Sequence, residues 1–143
     1  MAITQAMATS FKVQLLNGQQ NFSSNIFKLA LYTSSATINE NSTAYTTSGE
    51  VASTGNYTAG GNTLSVSVTP TNSGNVAYIS FSNTSWANAT ITAAGAMIYN
   101  NSQANAAVAV LAFGGDKTST DGTFAINFPT ADAASAIIRL TAS

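Results

Sequence analysis

The sequence predicts an all-β protein, an antiparallel β-sandwich of the immunoglobulin-like or jelly-roll-like kind, with one short N-terminal helix. Short runs of β-branched and aromatic residues recur after residue 24, and turn-forming residues separate them. No long helical pattern alternates with these runs, which argues against a parallel α/β sheet. The 143 residues fit one domain, 1–143, with the helix at about 4–16 and the sandwich at about 24–141.

The first element is predicted to be a helix because its apolar residues have helical spacing. Met7, Phe11 and Leu15 lie four residues apart and share one stripe. Thr4 is suited to the N-cap, and Asn17-Gly18 is a good stop. We expect the Met7, Phe11 and Leu15 stripe either to cap the sandwich or to dock on a neighbour.

The rest of the chain shows strand periodicity. Residues 26–33 carry apolar side chains on both faces, which indicates a central strand. Residues 64–69 alternate apolar and polar and are expected to end at Pro70, with a turn at 72–74. Further strands are predicted at 44–47, 50–53, 76–81, 89–93, 96–99, 107–113, 123–128 and 136–140, with Gly95 and Asp121-Gly122 as breaks.

Charge is scarce in this chain. Four basic and five acidic residues give a net charge of −1, and there is no His or Cys. A serine triad with His, a Cys nucleophile, a thiolate metal site and a disulfide framework are therefore excluded. Four basic residues leave no electrostatic footprint for nucleic acid or for an anionic membrane. We predict a non-enzymatic protein without a cofactor.

The few carboxylates do not make a convincing site. Asp116, Asp121 and Asp132 could join backbone carbonyls around calcium, but Asp is also a common turn residue, and we predict no metal. Glu40 and Glu50 could hydrolyse a glycosidic bond as a pair. Catalytic acids normally need burial, and the polar sequence around both residues does not suggest it.

Three aromatic residues lie in polar, loop-like stretches. Tyr45, Tyr57 and Trp86 could stack on sugar rings, which makes a glycan a possible partner. A single Trp in a small β-domain is more often a core or edge plug. Both interpretations stay open at this point.

Polarity resides mainly in uncharged side chains. Thr, Ser and Asn number 20, 18 and 15, and no charge occurs between Glu50 and Asp116. Such an exterior is suited to lateral packing, because little charge needs to be desolvated. Lys and Glu are too rare to protect strand edges, so we expect the edges to be covered by the helix, by loops or by neighbouring subunits.

Several blocks resemble a family of small virion proteins of tailed bacteriophages. The resemblance spans almost the whole chain, although relatives often have Cys at the position of Ala8 and residues 51–56 look slightly longer here. The blocks are 1–12 (MAITQAMATSFK), 27–33 (FKLALYT), 57–61 (YTAGG), 95–100 (GAMIYN), 107–111 (AVAVL), 124–129 (FAINFP) and 137–140 (IIRL).

This resemblance implies a virion structural protein. We expect a capsid decoration, or cement, protein in many copies on the outer head shell. It would bind the major capsid protein or other virion proteins and form a homo-oligomer. The alternative is a tail- or fibre-associated protein that contacts host glycan. The sequence shows no secretory signal, which disfavours a pilus-like surface subunit as a further alternative.

Overall fold

The computed structural model describes residues 2–141, so Met1, Ala142 and Ser143 of the predicted domain lie outside the described residues. The described elements are β1 Ala6–Met7, α1 Thr9–Leu16, β2 Phe27–Tyr32, β3 Asn62–Leu64, β4 Val66–Ser73, β5 Val76–Phe81, β6 Thr84–Asn100, β7 Ala106–Ile126 and β8 Ile138–Leu140. One sheet has the order β1-β7-β6-β2-β3 and the other β4-β5-β8. Their strand pairings are antiparallel. The predicted all-β sandwich class with a short helix is confirmed.

A cluster of phenylalanines joins the two sheets to the helix. Phe27 on β2 lies 5.9 Å from Phe81 on β5, measured between ring centroids, and Phe22 stacks on Phe27 at 4.6 Å. Phe11 on α1 meets Phe22 edge-on at 6.0 Å. Because each aromatic side chain buries roughly 150–250 Å², this cluster supplies much of the contact between the layers.

The helix starts five residues later than the sequence pattern predicts. Ala6–Met7 instead forms β1 and pairs with β7, and Ala8 is the N-cap with extended backbone. Thr4 cannot cap the helix, because it lies before β1 and its N–H donates to the Ile38 carbonyl at 3.0 Å. Pairing with neighbouring strands therefore prevails over the helical spacing in this segment.

The end of the helix is as predicted. Asn17 is the C-cap, and Gly18 has a φ of +74°, the left-handed conformation that glycine adopts after helices. Phe11 is buried and Leu15 half-buried, so this face of α1 packs on the sandwich. Within residues 2–141, no helix has the length and apolarity needed to cross a bilayer.

Two pairs of predicted strands are in fact single long strands, β6 and β7. Gly95 is not a break, because it pairs with Ala112 inside the sheet. Residues 113–116 bulge out opposite Ala94, and Gly114 and Gly115 there have φ values of +78° and +143°. Gly114 and Gly115 thus belong to a β-bulge, and bulges of this kind increase the twist of paired strands.

Asp121-Gly122 is also a bulge and not the predicted turn. The register slips between the pairs Ala89–Gly122 and Ile91–Ser119, and Asp121 has a φ of +48°. The turn that joins β6 to β7 lies instead at residues 101–105, where Asn105 has a φ of +59°.

Two further predictions on strands were wrong. The segments 44–47 and 50–53 contribute only the isolated bridges Ala44–Ala106 and Tyr32–Glu50. β4 does not end at Pro70 but continues to Ser73. Proline is tolerated there because β4 is an edge strand and its register shifts next to Pro70.

Most sheet edges are short or irregular. β1 has two residues, β3 and β8 have three each, and β4 contains Pro70. A loop covers the outer side of β6, as expected: Asn56 Nδ2 donates to the Ala87 carbonyl at 2.8 Å, and Thr90 N–H donates to the Gly55 carbonyl at 2.9 Å.

The exception is the second half of β7. β1 pairs with β7 only at Ala109 and Val110, and among the described strands none pairs with the outer side of residues 113–126. Asp116, Lys117 and Asp121, three of the nine charged residues, lie on this stretch. Charge and bulges are the features by which proteins protect an open edge. Within the described chain no strand covers this stretch, so its coverage by a neighbouring subunit stays a prediction.

Candidate functional site

The three helical contact candidates separate in the structure. Phe11 is buried in the phenylalanine cluster, Leu15 is half-buried, and Met7 lies on β1 rather than on the helix. α1 therefore caps the sandwich with its predicted face. Its exposed apolar residues are Val13 and Leu16, which the spacing argument passed over because they lie off the Phe11–Leu15 stripe.

The three aromatic candidates do not form an open platform. Tyr57 and Trp86 are only 2% and 5% exposed, and their ring centroids lie 5.6 Å apart. Tyr45 is half-buried and stacks on Tyr99 at 4.6 Å. Because two of the rings are buried and the third stacks on Tyr99, the three residues do not form a shared aromatic surface on which a sugar could stack.

Tyr45 and Tyr57 instead belong to a cluster around the half-buried carboxylate of Glu50. Tyr45 Oη donates to Glu50 Oε2 at 2.8 Å and Tyr57 Oη to Oε1 at 3.3 Å. The backbone N–H of Gly60 donates to Oε1 at 2.8 Å. Sequence reasoning missed this site, because it treated Glu50 as a solvated loop residue.

Two more tyrosines complete what we call the tyrosine–Glu50 cluster: Tyr32, Tyr45, Tyr57, Tyr99 and Glu50. Tyr32 Oη donates to the Thr46 carbonyl at 2.6 Å, and Tyr99 Oη to the Gly60 carbonyl at 2.7 Å. Tyr57 Oη also accepts from the Leu31 N–H at 2.9 Å. These bonds fasten the strand-poor segment 44–61 to β2 and β6.

The cluster strongly disfavours ionised phenols. Burial is the main cause that raises the pKa of Tyr32, Tyr45, Tyr57 and Tyr99 above the usual 10.0, and the negative charge of Glu50 adds to the effect. The pKa of Tyr99 rises to about 12. These phenols therefore remain neutral donors over the whole ordinary pH range.

We expect the protein to lose stability steeply above pH 10. A phenol with a raised folded-state pKa contributes fully below its unfolded pKa, and this contribution is lost as the pH rises towards the folded value. Each such tyrosine lowers the free energy of unfolding by about 1.4 kcal/mol per pH unit in that window. Denaturant unfolding at successive pH values measures the slope. Tyr99→Phe should make it shallower, whereas a flat profile from pH 8 to above 11 would contradict the burial of these phenols.

The described carboxylates differ in burial and in their hydrogen-bond partners. Glu50 is engaged by three donors, whereas Glu40 is exposed. Asp132 Oδ1 accepts from the N–H groups of Ala134 and Ser135 at 2.9 and 2.7 Å, which is a turn role. In the described part of the chain, no group of three or more acidic, His or Cys side chains is placed to hold a metal ion.

The exterior of the β6–β7 pair is hydroxyl-rich. Ile91 and Ala93 point inward, while Thr90, Thr92 and Thr118 point outward. Thr92 Oγ1 and Thr118 Oγ1 form a cross-strand hydrogen bond of 3.2 Å. β6 and the first part of β7 belong to a larger uncharged region. Residues 51–115 carry no charge, and they form four complete strands, β3 to β6, and the first part of β7.

The chain matches no family model, no curated protein and no solved structure.

Proposed function

We propose that this chain is a non-enzymatic structural protein of a tailed-phage virion and that it decorates the outer face of the head shell. The observation that carries the proposal is the uncharged run 51–115, which forms four complete strands whose exposed positions are mainly Thr, Ser, Asn and Ala. The resemblance of blocks such as 27–33 and 95–100 to small virion proteins supports the same class.

An uncharged β-surface is suited to many shallow contacts with other proteins. Charged residues are depleted at the cores of protein interfaces, because a buried charge must be desolvated and paired. Hydroxyl and amide side chains can exchange hydrogen bonds with water for bonds across an interface at a smaller cost. The partners in this proposal are the major capsid protein or other virion proteins, which the protein would clamp together as a homo-oligomer.

The burial of the candidate sugar-binding aromatic residues also favours a structural role over recognition of host glycan. The alternative of a tail- or fibre-associated protein used Tyr45, Tyr57 and Trp86 as sugar contacts. Tyr57 and Trp86 are buried, so that alternative loses its best receptor surface. A tail location without glycan binding remains the competing proposal.

The copy number of the protein in purified virions tests the proposal. We expect quantitative mass spectrometry to find it at the same order of abundance as the major capsid protein, with density on the outer shell in particle images. A few copies confined to the tail would replace the decoration role with the tail role. Absence from virions would refute both.

A further inference from the structure

One end of the molecule exposes an apolar surface. Leu16 and Val13 on α1 are 90% and 54% exposed, and Leu140 on β8 is 52% exposed. Beside them opens a groove of about 230 Å³, whose apolar lining includes Leu15, Phe22, Ile79, Ile138 and Leu140. We call this surface, Val13 and Leu16 together with the groove, the α1 patch. Exposed apolar surface of this kind marks an interaction site.

The elements that build the α1 patch carry only positive charge. Lys12 and Arg139 are the only charged residues in α1, β4, β5, β8 and the segment 17–25. The five acidic residues lie on other parts of the chain. Two of them are hydrogen-bonded next to these elements: the Glu40 carbonyl accepts from Thr9 N–H, at the helix end opposite Leu16, and the Asp132 carbonyl accepts from Ala136 N–H, before β8.

A second surface has the complementary character. The free outer side of β7 at residues 113–126, which we call the β7 edge, lines a trough of about 420 Å³ with Phe113, Phe124 and Ile126 and with the stem of Lys117. Asp116 and Asp121 are exposed there beside Lys117, which leaves a net charge of −1. The β7 edge therefore combines a trough with apolar walls, unpaired backbone and a net negative charge from the two aspartates that flank the trough.

We propose that copies of this chain associate head to tail, with the α1 patch of one copy on the β7 edge of the next and Leu16 seated in the trough. A symmetric contact between two α1 patches would bring Lys12 and Arg139 of both copies together. The head-to-tail contact places these cations against a net negative surface instead. Such heterologous contacts generate rings or open chains. This inference goes beyond the proposed virion role and is tested without any particle.

Two single variants should each weaken the contact from one side. Leu16→Ser removes the apolar side chain from the α1 patch, and Asp116→Lys reverses a charge on the β7 edge. In sedimentation experiments on the purified full chain, wild type should form oligomers across the micromolar range. Each variant should associate at least tenfold more weakly. Ile26→Ser is the matched control, since Ile26 is also half-exposed, at 51%, but does not line the groove.

Mixing the two variants gives the decisive result. The Leu16→Ser chain keeps an intact β7 edge and the Asp116→Lys chain keeps an intact α1 patch. In an equal mixture, the α1 patch of the Asp116→Lys chain should therefore bind the β7 edge of the Leu16→Ser chain. The product should be a heterodimer with this one contact, and no larger species should form. A mixture that stays monomeric, a monomeric wild type, or a Leu16→Ser variant that associates like wild type would each overturn the proposal. Its failure would leave the virion copy-number test unaffected.

Discussion

Gly61→Ala should lower the free energy of unfolding by more than about 4 kcal/mol, a loss that is exceptional for one substitution. Gly61 has a φ of +75°, and an added Cβ would overlap the Leu29 carbonyl oxygen. It would also lie 2.6 Å from the Leu29 carbonyl carbon and 2.8 Å from Ala30 Cα. These atoms belong to β2, which is hydrogen-bonded to β3 and β6 and cannot easily move. Denaturant unfolding measures the change.

Gly18→Ala is the matched control for this substitution. Gly18 has nearly the same φ, +74°, but an added Cβ there would meet nothing within 4 Å. The left-handed conformation alone costs an L-residue roughly 1–2 kcal/mol. The difference between the two variants therefore isolates the contact with β2. Equal losses would show that the turn at 58–61 does not press against that strand.

Glu50→Ala should have the second largest effect, a loss of about 2–4 kcal/mol. The substitution leaves the Tyr45 and Tyr57 hydroxyls and the Gly60 N–H without their common acceptor. A hydrogen bond to a charged group contributes about 1.5–3 kcal/mol when buried, and the half-exposed position of Glu50 reduces this. Thermal or denaturant unfolding at neutral pH provides the measurement.

Glu40→Ala supplies the comparison, because it removes the same charge from an exposed position. We expect a change within about 0.5 kcal/mol there. If Glu40→Ala were as damaging as Glu50→Ala, the loss would reflect net charge rather than the tyrosine–Glu50 cluster. Glu50→Gln, which keeps one acceptor oxygen, should fall between wild type and Glu50→Ala.

The local sequence pattern is sufficient to predict where α1 ends but not where it begins. Gly18 fixes the end of α1 because the left-handed conformation is a property of that residue and its neighbours. The start depends on a distant event, the pairing of Ala6–Met7 with Ala109 and Val110. Periodicity cannot distinguish a helical turn from two residues recruited as a strand, so Met7 was assigned to the wrong element.

In the long strands β6 and β7, local pattern likewise fails to show whether a glycine ends a strand or lies inside it. Gly95 is fully inside the sheet, where a Cβ would lie 2.6 Å from the Leu111 carbonyl oxygen. Glycine is needed there for close packing, whereas the sequence suggested a break. A glycine that permits a bulge or a close approach has the same signature as one that ends a strand. The alternating apolar pattern of 76–81, by contrast, predicted β5 with its correct bounds.

The tyrosine–Glu50 cluster could not be predicted from local pattern at all. Its hydrogen bonds connect residues as far apart as Tyr99 and Gly60, and the segment 44–61 that it fastens has almost no regular structure. A polar segment rich in Ser, Thr and Gly gives no local indication of which carboxylate will be surrounded by hydrogen-bond donors. The only available signal for the cluster was that the chain has five tyrosines, four of which proved to belong to it. Tyrosines in polar segments are equally compatible with a role at the surface.

The pairing of β1 also has a consequence for biosynthesis. Ala6 pairs with Val110, and β2 pairs with β6, so these two pairings of the larger sheet form only after most of the chain has left the ribosome. Contacts over such long separations are slow to form, because loop closure must precede them. The β6–β7 pair is joined by a short turn and can form first. The N-terminal segment is therefore expected to dock last, onto a sheet that has already assembled.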